Sequence, residues 1–371
     1  MKCKVNITNC AALFIIVFSG FYLKTVAISP IYLTTSVGIL LYAMVLIKEE
    51  HPIFIADYTV WFAVVWLIYI LITQSVYLKT SAFYNLLFSI LYYIFSFQVV
   101  NRVSREKVLC YSKKMVNFSI VLLLFEAVSR IGHPVVKAMQ TENNAFYKYK
   151  YNSIMYQDSN YVGIFIIVLF FFALYLDNKQ NVVMKKERIV LLCLCIATFS
   201  RSAIIVILLF GFWLDRSISK SKKTIILFGA IIAGSYFISG YILNDGSFLS
   251  KFSIIESAWT FYTRKASLAM QLFGYGLGHS ADNIGIGSHN LFVTFIMETG
   301  VIGFLLFVTF WLCIAKKTNG KATYVIVPIL TAGFSFVQHF LPFLYVVFAI
   351  IIALENSNGF LKSNEDVKNN G

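Results

Sequence analysis

Residues 189–214 read IVLLCLCIATFSRSAIIVILLFGFWL, an apolar run broken only around Ser200-Arg201-Ser202. How this stretch meets a membrane decides the fold. A single helix through it would leave Arg201 near the bilayer centre, at about 2.5–3.5 kcal/mol or more. It would also put the basic segments 179–188 and 216–223 on opposite sides, against the tendency of Lys and Arg to collect in cytoplasmic loops. Two short spans, 186–199 and 202–215, avoid both penalties. Arg201 then lies at or just below the outer mouth of a helical bundle.

Working outward, 59% of the 371 residues are hydrophobic and 13% are charged, against roughly 45–50% and 25% in soluble domains. The expected class is an all-α polytopic integral membrane protein. A hydrocarbon core of about 30 Å needs about 20 apolar residues per helix. Further spans are expected at 9–28, 30–47, 58–77, 82–100, 115–131, 160–176, 224–243, 289–315, 324–340 and 341–354, which makes twelve. With both termini cytoplasmic, the inner loops hold Lys48, Arg102, Arg105, Lys107, Lys179, Arg188, Arg216, Lys222, Lys316 and Lys321. The outer loops are poorer in positive charge and include two long connections, 132–159 and 244–288. Residues 1–354 read as one transmembrane domain, and 355–371, rich in Asn, Ser and charge, as a disordered cytoplasmic tail.

The net charge of +14 is spent on orientation, so no nucleic-acid partner is implied. Lys2, Lys4 and the apolar residues 11–18 imitate a signal peptide, but no small-residue cleavage site follows and the apolar run continues. A retained first span is expected. None of the six cysteines falls in an outer loop, so no disulfide framework is expected. Cys193 and Cys195, two apart on a helix, point to different faces and make a poor metal pair.

The polar groups gather on the outer side. The 132–159 loop alternates tyrosine and lysine around Tyr149 and Lys150; that pattern suits sugar stacking with anion contact, and equally an interfacial aromatic belt. The 244–288 loop carries Arg264 and Lys265 in an amphipathic stretch, 253–273, that reads as a surface helix. It ends in Gly274-Tyr275-Gly276-Leu277-Gly278. Without a βαβ context these glycines do not signal a nucleotide; they suit a tight turn beneath His289.

His289 opens the next span at Ser288-His289-Asn290, and an imidazole titrating near 6.5 can act as a base. A histidine resting at the headgroup level explains the same residue. Glu298 lies in Met297-Glu298-Thr299-Gly300, where the helix is expected to break; the plainer reading of Glu298 is an acid beside a helix N-terminus. Glu126 and Arg130, four apart, are expected to pair with each other. His339 is a second candidate lining group. No metal-ligand signature is present on the outer side, so Arg and Lys must neutralise any phosphate there.

His289-Asn290, nine residues and Gly300-x-x-Gly303, preceded by Gly274-x-Gly276-x-Gly278 and the Ser200-Arg201-Ser202 break, resemble the bacterial O-antigen polymerase and O-antigen ligase superfamily. The resemblance covers residues 189–315 in motif and the whole chain in topology. It implies a glycosyltransferase-C-like membrane fold in the bacterial inner membrane. It also implies a cofactor-free, metal-independent glycosyltransferase that acts on undecaprenyl-diphosphate-linked oligosaccharide at the periplasmic face. His289 would take the acceptor's proton, and Arg201 and Arg264 would hold the diphosphate. Asn290, Lys265, Glu298, His339, Tyr149 and Lys150 would contact substrate, and a chain-length regulator is an implied partner. Two extended outer loops favour the polymerase over the ligase, which transfers finished chains to lipid A core. A transporter of the same lipid should carry broken, charged segments in symmetric positions near the midplane.

Overall fold

The computed structural model describes residues 7–48, 55–75, 81–135, 147–156, 158–215, 219, 221–224, 246–285, 289–336 and 341–368. Among them the chain is helical and has no strand; Tyr151 and Asp158 form one isolated antiparallel bridge. Five helices are long and apolar enough to cross a bilayer: α2 (Pro30–Lys48), α4 (Ser81–Val100), α5 (Arg105–Gly132), α6 (Ser159–Gln180) and, later in the chain, residues Leu291–Lys317. Shorter apolar helices are α1 (Ile7–Val17), α3 (Tyr58–Gln74) and, later in the chain, residues Arg201–Leu214, Thr323–Ala332 and Pro342–Asn356. The protein is a multi-pass helical membrane protein.

The centre of the bundle is built where the sequence is apolar on every side. Residues 164–176 of α6 are all buried, as a helix without a polar face must be. Phe165 meets Phe343 edge to face at 4.5 Å. Trp66 on α3 is fully buried among Phe295, Phe307, Phe310 and Tyr345. Lipid tails are as apolar as these side chains, so such rings hold a membrane bundle through close packing more than through water exclusion. Outward-facing Ile47, Ile72 and Val128 remain exposed, as a lipid-covered surface requires.

After α6 come α7 (Lys185–Ala197), α8 (Arg201–Leu214), α9 (Gly246–Arg264), α10 (Leu268–Phe273), α11 (Ser280–Ile284), α12 (Leu291–Lys317), α13 (Thr323–Ala332) and α14 (Pro342–Lys368). Several boundaries differ from hydropathy. α1 stops at Val17, short of residue 28: Ser19 donates to the Ile16 carbonyl at 3.0 Å, a side-chain competitor of the helical ladder. α5 starts at Arg105, ten residues early, because Arg, Glu and Lys are good helix formers that hydropathy does not see. The surface stretch 253–273 is two helices, since Ser267 caps α10 by accepting from the Met270 N–H at 3.3 Å.

α14 runs from Pro342 to Lys368, and within it the Glu355 carboxylate accepts from Tyr175 Oη (2.7 Å), Gln180 Nε2 (2.9 Å) and Lys321 Nζ. Of the expected span 224–243, only Thr224 lies within the described residues.

Candidate functional site

The Arg201 stretch is broken as the charge demands. α7 ends at Ala197, Phe199 takes a left-handed φ of 56°, and α8 begins at Arg201. Arg201 is exposed at the first helical position. Its own charge opposes the α8 dipole there. The first N–H groups of α8 have no partner within their own helix, so guanidinium and helix N-terminus together suit an anion.

The break is held by a residue whose partnership sequence spacing gives only in part. Arg130 and Glu126 pair as expected, at 2.8 Å, with both side chains buried. Arg130 also donates to the Tyr149 carbonyl at 2.5 Å and to the Ala197 carbonyl at 3.0 Å. The second of these satisfies an end carbonyl of α7. A buried ion pair repays its desolvation only with such added bonds. Tyr149 stacks on Phe199 (6.0 Å, 26°), and Ser159 donates to the Thr198 carbonyl at 2.7 Å. Tyr149 and Lys150 thus lie over the Arg201 break, half buried.

α12 begins at a second polar cluster. Asn290 is its N-cap, accepting from the N–H groups of Phe292 (3.0 Å) and Val293 (3.2 Å). Its amide nitrogen lies 3.5 Å from the Phe334 carbonyl, and the Leu291 N–H donates to the Gly333 carbonyl at 2.7 Å. Asn290 is buried while His289 beside it is exposed with φ 37°. A non-glycine residue held left-handed costs of order 1–3 kcal/mol and recurs at functional positions. Lys251, which sequence reasoning passed over, donates to Ser335 Oγ at 2.7 Å, one residue beyond the carbonyl that Asn290 faces. An isolated lysine on an amphipathic helix gives no signal of that placement.

Nine residues on, α12 breaks at Gly300 (φ 70°, ψ 177°), within the stretch where a break is expected. The last carbonyls before the break all find donors: Tyr275 N to Met297 O (2.9 Å), Gly276 N to Glu298 O (3.1 Å) and Tyr69 Oη to Thr299 O (2.6 Å). Gln74 locks the turn, accepting from Leu277 N at 2.9 Å and donating to Phe273 O at 3.4 Å. A β-carbon on Gly274 would sit 2.2 Å from Glu298 O, and one on Gly300 2.2 Å from Leu272 O. Two backbones cross here in contact, which only glycine on both sides allows. The glycine turn therefore docks into the helix break, not beneath His289. Gly303 packs against Tyr69, and Gly278 stays exposed.

Glu298 is buried in this junction. Its Oε1 lies 3.4 Å from the Ser280 N–H at the start of α11, and Oε2 has no hydrogen-bond partner among the described residues. Glu298 ends the first half of α12 instead of standing in a first turn, and the helix start it faces is that of α11. Arg264 is exposed at the last position of α9, and Lys265 follows it in the turn to α10. That turn is fixed by Tyr262 Oη to Gln271 O (2.8 Å) and Gln271 Nε2 to Tyr262 O (2.9 Å). α9 packs on α12 through Ala258, Phe261, Val293 and Met297. His339 lies outside the described residues.

The structure thus brings Gly276, Glu298 and Gly300 into one junction and groups Tyr149 and Lys150 with the Arg201 break. Compared with known proteins, the chain matches no protein-family model and no curated protein.

Proposed function

We propose that this protein is a polymerase of lipid-linked glycans, of the kind the O-antigen polymerase superfamily represents, in the bacterial inner membrane with its site on the periplasmic face. The observation that carries this reading is Arg201. It is an exposed guanidinium opening a helix immediately after a left-handed break, where fixed N–H dipoles and a permanent charge converge. Such a mouth binds a diphosphate and stabilises it as it leaves. His289, strained and exposed at the head of α12, is the base that takes the proton of the attacking sugar hydroxyl. The bond formed is glycosidic carbon to acceptor oxygen; the bond broken is glycosidic carbon to diphosphate oxygen.

A transporter for the same lipid has one observation in its favour: α12 is broken about 14 Å along its axis from Leu291, the depth at which discontinuous helices of transporters hold substrate. There, however, the freed carbonyls already have protein donors, which leaves them unavailable to coordinate cargo.

Reconstitution with a defined undecaprenyl-diphosphate repeat unit, followed by gel analysis, tests the proposal. The native chain is expected to build a ladder of products, and His289→Ala and Arg201→Ala to lose it while still inserted in the membrane. Normal ladders from both variants would overturn the proposal. Transfer only after lipid A core is supplied would replace the polymerase with a ligase, and movement of labelled lipid without transfer would replace it with a transporter.

A further inference from the structure

Residues 18–28, part of the expected first span, are not helical, and neither is Ser29. In a membrane protein, irregular backbone is tolerated where protein buries it or where it lines a cavity, and Gly20, Tyr22 and Lys24 of this segment line one. A cavity of about 350 Å³ opens between this segment and the first turns of α2, α4, α6 and α14. Its wall includes Tyr22, Tyr32, Tyr156 and Tyr161, with Asn85 and Lys24. Every contributing helix end is one that the alternation of spans expects on the outer side.

The wall is built to stay in place. Tyr22 and Tyr156 stack in parallel, with centroids 5.0 Å apart and planes 8° from each other. Tyr161 packs on Tyr156 at 6.2 Å. Tyr32 Oη donates to Asn85 Oδ1 at 2.6 Å. The Lys24 N–H donates to the Ile154 carbonyl at 2.8 Å, tying the two lining loops together.

Aromatic faces with hydroxyl and amide groups around one small volume match the surface of a sugar ring, which has apolar C–H faces and an equator of hydroxyls. A polyprenyl tail offers these polar groups no hydrogen-bonding atoms of its own. The volume lies at the lower end of small-molecule sites, about 300–1,000 Å³, which limits the occupant to a short saccharide. We propose that this tyrosine cavity binds one or two sugar rings of an oligosaccharide. Saccharide binding stands apart from the polymerase reading; assigning that saccharide to the repeat unit being joined rests on it.

The test is saturation-transfer NMR on the full chain in nanodiscs, with methyl glycosides of glucose, galactose, mannose, N-acetylglucosamine and glucuronic acid as probes. At least one glycoside is expected to receive saturation from tyrosine ring protons. Tyr22→Leu and Tyr156→Leu should weaken its binding roughly tenfold by removing ring faces while keeping apolar bulk. Tyr32→Phe, which keeps the ring, should weaken it by about two- to tenfold. Melting temperatures check that each variant is folded. No binding by any probe, or binding unchanged in folded Tyr22→Leu and Tyr32→Phe, would overturn the proposal, as would a lipid tail found in the cavity. Binding without any product ladder would sink the polymerase reading and leave the saccharide site standing.

Discussion

The two interrupted helices solve one problem in opposite ways. At residues 198–200 the chain is broken by a left-handed Phe199, and the new helix opens at an exposed arginine. At Gly300 the break is sealed: the last carbonyls before it meet donors from the glycine turn and from Tyr69. Freed backbone groups in a membrane cannot rely on water, and at both breaks protein donors meet freed carbonyls, Arg130 and Ser159 serving those of Ala197 and Thr198. What sets the first break apart is the exposed arginine that opens the new helix, which the function proposed above makes the place of the diphosphate.

The largest expected effect falls on the sealed break. Gly274→Ala or Gly300→Ala must relieve a 2.2 Å backbone contact and a positive φ together. Both should reduce folded protein severely, well beyond the 1–3 kcal/mol of a strained residue alone, as read by the yield of monodisperse protein. A normally folded Gly300→Ala chain would show that the seal is dispensable.

Next comes the buried pair beneath the open break. Arg130→Ala should cost about 3–5 kcal/mol by stranding Glu126, seen as a lowered melting temperature. Arg130→Lys keeps the charge but lacks the fork that reaches Tyr149 and Ala197, so it should recover only part of that loss.

A smaller effect concerns the far end of α12, where Lys317 pairs with Asp57 at 2.7 Å. Burial alone would raise the Asp57 carboxyl, but hydrogen bonds from Lys317 and Thr59 outweigh it and hold the group below its usual range. The stability it confers is therefore complete above the unfolded carboxylate value, near 3.9, and is lost as pH falls through the lower folded value. Melting curves should show this acid loss in the native chain, and Asp57→Asn should flatten it.

The smallest effect on stability, and the sharpest test of the comparison, is Arg201→Ala. An exposed side chain at a helix start should shift stability by no more than about 0.5 kcal/mol. Transfer should fall by about a hundredfold or more if the arginine stabilises a developing diphosphate. Equal losses of stability and transfer would make the two breaks alike.

Both breaks were legible in the sequence for local reasons. Arg201 is a charge inside an apolar run, and Gly300 follows Glu298 and Thr299. Their partners were not legible. Gly276 meets Glu298 across 22 residues of chain, and Tyr69 meets Thr299 across 230; backbone donors leave no mark on hydropathy. The same gap hid the reach of Arg130, whose i,i+4 pairing with Glu126 is a local pattern while its two carbonyl contacts are set by loops elsewhere. Helix ends failed where polar helix formers extend an apolar core, as at Arg105. They also failed where an apolar segment turns aside to line a cavity, as after Val17.

The Glu126–Arg130 bond also bears on biogenesis. Both partners belong to α5, one turn apart, so the pair needs only that helix in order to form. α5 can then enter the bilayer without a bare charge. The donors that Arg130 still holds wait for carbonyls made 19 and 67 residues later. Assembly at this corner therefore has a direction: the residue that fastens Tyr149 and the end of α7 precedes both in the chain.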